Sequence, residues 1–136
     1  MRLHGATQIS AQSPVLPVTC PATAVVGRAV YVTGDKVGER YQVAPVDIND
    51  PATFLAIGVL LKKTASTEGV VQLAGLFQGL SGLTPGQPVY ISASGALTHT
   101  APTPPPAGIR LVQIIGRALS TTELWIDVKS PIILVA

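Results

Sequence analysis

The chain has 136 residues, of which 47% are hydrophobic and only 12% charged, and its formal net charge is +2. Its 40 Leu, Ile and Val residues are enough for one packed domain and too many for a disordered chain. The longest apolar run, residues 54–61, is far shorter than the ~18 residues of a membrane span. Basic residues are scattered and aromatic residues make up 4% of the chain, so we expect neither a nucleic acid nor a membrane as partner.

The first 24 residues contain Pro14, Pro17 and Pro21 among Ser, Thr and Gln residues. This spacing prevents a helix and removes backbone N–H donors, so it favours an extended N-terminal arm over a core strand. A disordered terminus is the alternative interpretation. We expect the domain to fold without residues 1–20. The single cysteine, Cys20, allows no disulfide within the chain.

After the arm, short β-rich runs alternate with Gly, Pro, Asn and Asp, and no long segment has the period of an amphipathic helix. The predicted strands are residues 28–33, 40–44, 68–74, 89–93, 97–100, 110–119 and 123–129. Residues 54–62 fit either a buried strand or a helix, and Asp50-Pro51 can start one helical turn. The sequence therefore predicts an all-β protein, with a β domain over residues 25–129 and an apolar C-terminal tail over residues 130–136.

The β domain contains an internal repeat. Three pairs of segments correspond: residues 27–32 with 86–91, residues 44–45 with 101–102, and residues 57–58 with 115–116. We therefore predict a compact β-sandwich or barrel built from two quasi-repeated halves, residues 25–78 and 84–129, with pseudo-twofold character. Gly27 and Gly86 are predicted at turns into a strand, where glycine permits a positive φ. Gly58 and Gly116 are predicted inside strands, at a bulge or a close backbone approach.

The middle of the chain is uncharged: no Asp, Glu, Lys or Arg occurs from Gly69 to Ile109. One interpretation is a neutral exterior coated by Ser, Thr, Gln and Pro. The other is a surface covered by identical subunits or by a larger assembly. Apolar residues persist through residues 70–80, and large uncovered apolar patches are uncommon on monomers, so we favour the covered surface.

Catalytic and metal-binding patterns are weak in this sequence. His4 and His99 have no Cys, Asp or Glu at metal-ligand spacing, and no nucleophile elbow or phosphate-binding loop occurs. Asp47, Asn49 and Asp50 suggest a calcium loop, but no bidentate Glu follows them. We therefore expect a protein that is not an enzyme and that uses no cofactor and no metal.

The segment 123–129 predicts a surface feature. Strict alternation puts Leu124, Ile126 and Val128 on the core face, and it puts Trp125 on the outer face among charged residues. An outward Trp in such surroundings is typical of an interface anchor. The alternative is that the arm or the Pro-rich loop of the same chain covers this side chain. The apolar tail is predicted to dock on a neighbouring molecule or along a sheet edge.

Residues 82–92, 95–98 and 112–120 resemble a module of tailed-bacteriophage virion proteins, in particular the small β-rich proteins that decorate or cement capsids. The resemblance extends over residues 25–129. It implies a decoration protein on the capsid exterior of the virion, synthesised in the host cytoplasm, with the major capsid protein as partner. It also implies self-association as homotrimers, with an extended terminus that contacts the shell.

A tail, fibre or baseplate component of a phage virion is the alternative function. A carbohydrate-binding module is disfavoured because the chain has only six aromatic residues. The candidate interface residues lie in the arm, at the outward Trp and in the tail: Leu3, Ile9, Val15, Leu16, Val18, Trp125, Ile132, Ile133 and Leu134.

Overall fold

A computed structural model of the protein describes residues 14–136. This part of the chain is an all-β fold of three sheets, as the sequence predicts. The strands of the first sheet are β1 (Val15–Thr19), β2 (Ala29–Val37), β3 (Arg40–Pro45), β4 (Gly58–Ala65) and β5 (Glu68–Gln72). They form a closed barrel in which each strand pairs with two neighbours.

The second sheet is open and has five strands in the order β6-β11-β10-β7-β8. Its strands are β6 (Gly75–Phe77), β7 (Pro88–Ile91), β8 (Leu97–Thr98), β10 (Ile114–Ala118) and β11 (Leu124–Ile126). The remaining strands, β9 (Ile109–Val112) and β12 (Ile132–Val135), pair with each other as a two-stranded sheet.

The prediction of an N-terminal arm over residues 1–24 is wrong for residues 15–24. Strand β1 pairs with β5 along its whole length and with β3 at Val18 and Thr19, so it closes the barrel. Val18 and Cys20 are buried in the barrel interior. Residues 1–13 lie outside the described part of the chain, and so do the candidate interface residues Leu3 and Ile9.

Proline 17 is compatible with this barrel strand because of where its nitrogen points. Hydrogen bonds from Leu73 N–H to the Pro14 carbonyl and from Cys20 N–H to the Thr67 carbonyl set the register of β1 against β5. Antiparallel pairing alternates, so the nitrogen of Pro17 points away from β5. On that side β3 begins to pair only at Val18, and the missing N–H of Pro17 therefore breaks no ladder bond.

The strand pairing shows the internal repeat, and each copy has five strands. The pairings β3-β2-β4-β5-β1 in the first sheet recur as β8-β7-β10-β11-β6 in the second. We call the barrel the first repeat and the open sheet the second repeat. Strand β6 therefore belongs to the second repeat, whereas the prediction placed its residues in the first half, residues 25–78. The two repeats differ in closure, because β1 pairs with β3 whereas β6 and β8 do not pair.

Equivalent glycines occupy equivalent positions in the two repeats. Gly27 and Gly86 have φ of +90° and +84°, and their N–H groups donate to the carbonyls of Leu60 and Ala118. Gly58 and Gly116 lie where a neighbouring strand approaches closely. A Cβ at Gly58 would collide with the Gln72 carbonyl, and one at Gly116 would collide with the Trp125 carbonyl. The predicted turns and close approaches are confirmed.

One of the three predicted repeat landmarks is wrong. Ala44 lies opposite Tyr31 in the first repeat, and Thr98 lies opposite the equivalent Tyr90 in the second. Ala44 therefore corresponds to Thr98 and not to Ala101, because the second repeat has a shorter connection before this strand.

The hydrophobic core has two parts, and their arrangement contradicts the predicted pseudo-twofold character. The smaller cluster fills the barrel of the first repeat: Val18, Cys20, Ala24, Val30, Val43, Leu60 and Val71. The larger cluster joins the outer face of the barrel to the inner face of the second sheet, through Ala29 and Val59 on one side and Val89, Ile115 and Leu124 on the other. Closure of the barrel encloses its inner face, so only its outer face remains for the second repeat.

The segment between β3 and β4 contains the helical turn predicted at Asp50-Pro51. Pro51–Thr53 forms a 3-10 turn whose N-cap is Asp50, and the Asp50 side chain accepts a hydrogen bond from Ala52 N–H at 3.0 Å. The ambiguous run that follows becomes strand from Gly58 onward.

Candidate interaction surface

A shallow groove of about 240 Å³ surrounds Trp125 on the outer face of the second repeat. It is lined by residues of β7, β10 and β11 and the segments that follow them: Pro88, Ile114, Gly116, Arg117, Leu119, Trp125, Asp127 and Lys129. We call this surface the Trp125 face.

The alternation of β11 directs Trp125 outward, as the sequence predicts. Leu124 and Ile126 are buried in the larger core cluster, whereas Trp125 is 49% exposed. Its cross-strand neighbours are Leu76 on β6 and Arg117 on β10. Leu76 is also exposed, so two large apolar side chains lie side by side on neighbouring strands here. The Pro-rich loop does not line the groove.

The charged side chains beside Trp125 are already paired within the chain. The guanidinium of Arg117 donates to the Gly86 carbonyl at 2.6 Å, and Lys129 Nζ lies 2.6 Å from Asp127 Oδ2. Both members of this surface ion pair are well exposed, so it adds little stability. The ion pair and the Arg117 hydrogen bond hold the charged groups beside the apolar side chains of Trp125 and Leu119, so the face combines apolar area with polar groups.

The first repeat indicates what kind of surface fits this face. By strand register, Ala29, Val59 and Gln72 of the first repeat correspond to Pro88, Arg117 and Trp125 of the second. The first three are buried, and Gln72 is only 3% exposed. The second repeat covers them. The Trp125 face is the equivalent face of the second sheet, and no other part of residues 14–136 covers it.

Gln72 and Trp125 occupy equivalent positions but have different surroundings. Gln72 Nε2 donates to the carbonyls of Ala74 and Leu76, at 3.0 and 2.8 Å, and so connects the first repeat to the start of the second. At the corresponding position Trp125 faces outward, and its indole is available for contact with another molecule.

A second apolar surface is formed by the C-terminal strand. The predicted tail residues Ile132, Ile133 and Leu134 lie in β12, which pairs antiparallel with β9, so the tail docks along a strand of its own chain. Ile132 and Val135 are 61% and 69% exposed. A cavity beside Ile132 shares Ile114 and Lys129 with the Trp125 groove, so the two surfaces are adjacent.

Of the candidate residues from the predicted arm that the structure describes, one lies on the outside of the barrel and two lie in its interior. Val15 is exposed and lies opposite Gln72, at the outside of the barrel. Leu16 and Val18 pack in the barrel interior, so their assignment as interface residues is wrong. They are core residues because β1 alternates into the interior at these positions. Leu76 and Leu119, which the sequence did not identify as candidates, are also exposed beside Trp125.

Polar groups in the described residues make structural contacts. His99 joins two segments, with Nδ1 2.8 Å from the Pro88 carbonyl and Nε2 accepting from Thr84 N–H at 2.8 Å. Within residues 14–136, no group of three His, Cys, Asp or Glu side chains could hold a metal ion. Over the same residues, no helix has the length and hydropathy required to cross a membrane.

No protein-family model matches this chain, and neither does any curated protein sequence.

Proposed function

We propose that this protein is a structural protein of a tailed-bacteriophage virion that decorates the capsid exterior and binds the major capsid protein. The proposal combines the resemblance of residues 25–129 to capsid-decorating proteins with the apolar surfaces of the fold. The observation that carries it is the Trp125 face, which residues 14–136 leave uncovered and whose equivalent in the first repeat is buried beneath a sheet. A small all-β domain with such a face is suited to binding another protein.

The Trp125 face has the composition of a hot spot at a protein–protein interface. An exposed Trp lies between Leu76 and Arg117, and the surrounding charged groups of Asp127 and Lys129 are paired. Trp and Arg are enriched among residues that contribute most to binding, and a polar rim excludes water from them. We therefore place the contact with the capsid protein here rather than on Leu16 and Val18.

The function in this proposal is mechanical. A decoration protein bound across neighbouring capsid subunits adds buried apolar area at the seams between them, and internal DNA pressure acts to open those seams. Each contact is modest, since burial of one large side chain contributes about 1.5–3 kcal/mol. Many copies on one lattice, each with more than one contact, stabilise the shell together.

The copy number in purified particles tests the placement in the virion. We expect quantitative mass spectrometry to find hundreds of copies per particle, since decoration follows the capsid lattice. About a dozen copies or fewer would instead support the tail, fibre or baseplate alternative. Absence from washed particles would contradict both placements.

Replacing Trp125 by Ala tests the assigned contact surface. We expect W125A to fold normally, because the indole is exposed, and to lose about 10-fold or more in affinity for particles stripped of the protein. The control is Val37→Ala, which removes an exposed apolar side chain from the β2–β3 hairpin of the first repeat. Binding should be measured by co-sedimentation. Equal binding by both variants would remove the Trp125 face from the proposal.

A further inference from the structure

Strand β12 has a free edge in the described structure. It pairs with β9 on one side, and among residues 14–136 no strand pairs with its other side. Proteins usually protect such edges with Lys, an internal Pro or a bulge. Residues 132–135 are Ile-Ile-Leu-Val, and their pairing with β9 is regular. Within the described residues, this edge is therefore unprotected.

The hydrogen-bond pattern identifies the unpaired backbone groups. Ala136 N–H donates to the Gly108 carbonyl at 3.0 Å, which fixes the phase of the β12–β9 ladder. Because the pattern alternates, the N–H and C=O groups of Ile132 and Leu134 point toward β9. The N–H and C=O groups of Ile133 and Val135 point toward the free edge. Strand β9 has the same phase, since Leu111 N–H points away from β12 and donates to the Ile48 carbonyl.

From this geometry we propose that β12 pairs antiparallel with β12 of a second copy of this chain. The pairing is centred on Leu134, which lies opposite Leu134 of the second copy. In this register the free N–H and C=O groups of Ile133 bond to those of Val135 in the second copy, and Val135 bonds to Ile133 of the second copy. One twofold axis thus satisfies the free backbone groups of both edges.

The sequence of β12 favours a second copy as the occupant. Pairing brings only aliphatic side chains together, so no like charges meet across the axis. The register is also specified. A shift that places Ile133 opposite Ile133 of the second copy brings Val135 opposite Pro131 of the second copy, which has no N–H to donate. The register centred on Leu134 avoids this loss.

The surface around β12 extends the contact beyond the backbone. Ile132 and Val135 are among the most exposed large apolar side chains of the described residues, and the cavity beside Ile132 shares Ile114 and Lys129 with the Trp125 groove. A two-stranded sheet becomes a four-stranded one in the order β9-β12-β12-β9. This inference is independent of the phage assignment. It joins copies in pairs, whereas the resemblance implies trimers.

Disulfide trapping tests the register directly. Residues directly opposite at a non-hydrogen-bonded site have Cα atoms about 4.5 Å apart, within the range a disulfide spans. We expect Leu134→Cys to form a covalent dimer under mild oxidation. The matched control is Ile132→Cys, because the two copies of residue 132 would be about 13 Å apart along the strands, too far for a disulfide. The native Cys20 is buried and is present in both variants.

The second measurement is the oligomeric state of the intact chain by analytical ultracentrifugation over a concentration series. We expect a dimer that Ile133→Lys with Val135→Lys converts to a monomer with an unchanged circular dichroism spectrum. Val37→Lys, at an exposed apolar site away from β12, should remain dimeric. A monomeric or trimeric wild type would overturn the proposal, and so would efficient cross-linking of the residue 132 variant or its absence at residue 134.

Discussion

Deleting residues 1–20 should abolish cooperative folding. The deletion removes β1, and with it the pairing to both β3 and β5 that closes the first repeat. It also removes Leu16, Val18 and Cys20 from the barrel interior. Burial of each large apolar side chain contributes about 1.5–3 kcal/mol, so their combined loss approaches the ~5–15 kcal/mol stability of a typical domain. Thermal unfolding monitored by circular dichroism measures the effect.

The matched control is deletion of residues 1–12. It leaves Pro14, whose carbonyl accepts from Leu73 N–H, and it leaves every described contact of β1 in place. We expect the shorter deletion to unfold cooperatively near the wild-type temperature. A folded protein after the longer deletion would show that the barrel does not need β1, and it would restore the interpretation of residues 15–24 as an arm.

Replacing Gly116 by Ala should cost about 3 kcal/mol or more of the free energy of unfolding. The new Cβ would meet the carbonyl oxygen of Trp125 in the adjacent strand, and backbone cannot move aside as a flexible side chain can. The same substitution at Gly58 should have a similar effect, because the Gln72 carbonyl occupies the equivalent position. Urea unfolding measures both values.

Gly34→Ala is the control for these two variants. Gly34 also lies in a strand, but a Cβ there meets no atom closer than 3.7 Å. We expect a change of less than about 1 kcal/mol, of either sign. Comparable losses at Gly34 and Gly116 would mean that glycine is required for a reason other than the close approach of a neighbouring strand.

The sequence predicted much of the fold because glycine and alternation are local signals. Gly27 and Gly86 revealed the repeat, since their positive φ is required wherever the chain makes that turn. Trp125 was placed outward correctly because Leu124 and Ile126 alternate around it. These inferences need no knowledge of which strands pair.

The errors arose where pairing partners decide the outcome. Pro17 suggested an arm because a sequence does not reveal which side of a strand its nitrogen faces. The closure of the first repeat depends on parallel pairing of β1 with β3, a contact between segments more than 20 residues apart. Leu76 was missed as a neighbour of Trp125 because the register of β6 against β11 places it there.

Closure of only one repeat gives the molecule a direction. The interior of the barrel is closed, so no further sheet can pack against the inner face of the first repeat. At the other end of the molecule, the Trp125 face corresponds to the barrel face that the second repeat covers. If further copies of the open second sheet were fused to the chain, they could therefore be added only at the Trp125 face. The barrel would remain at the other end of the array.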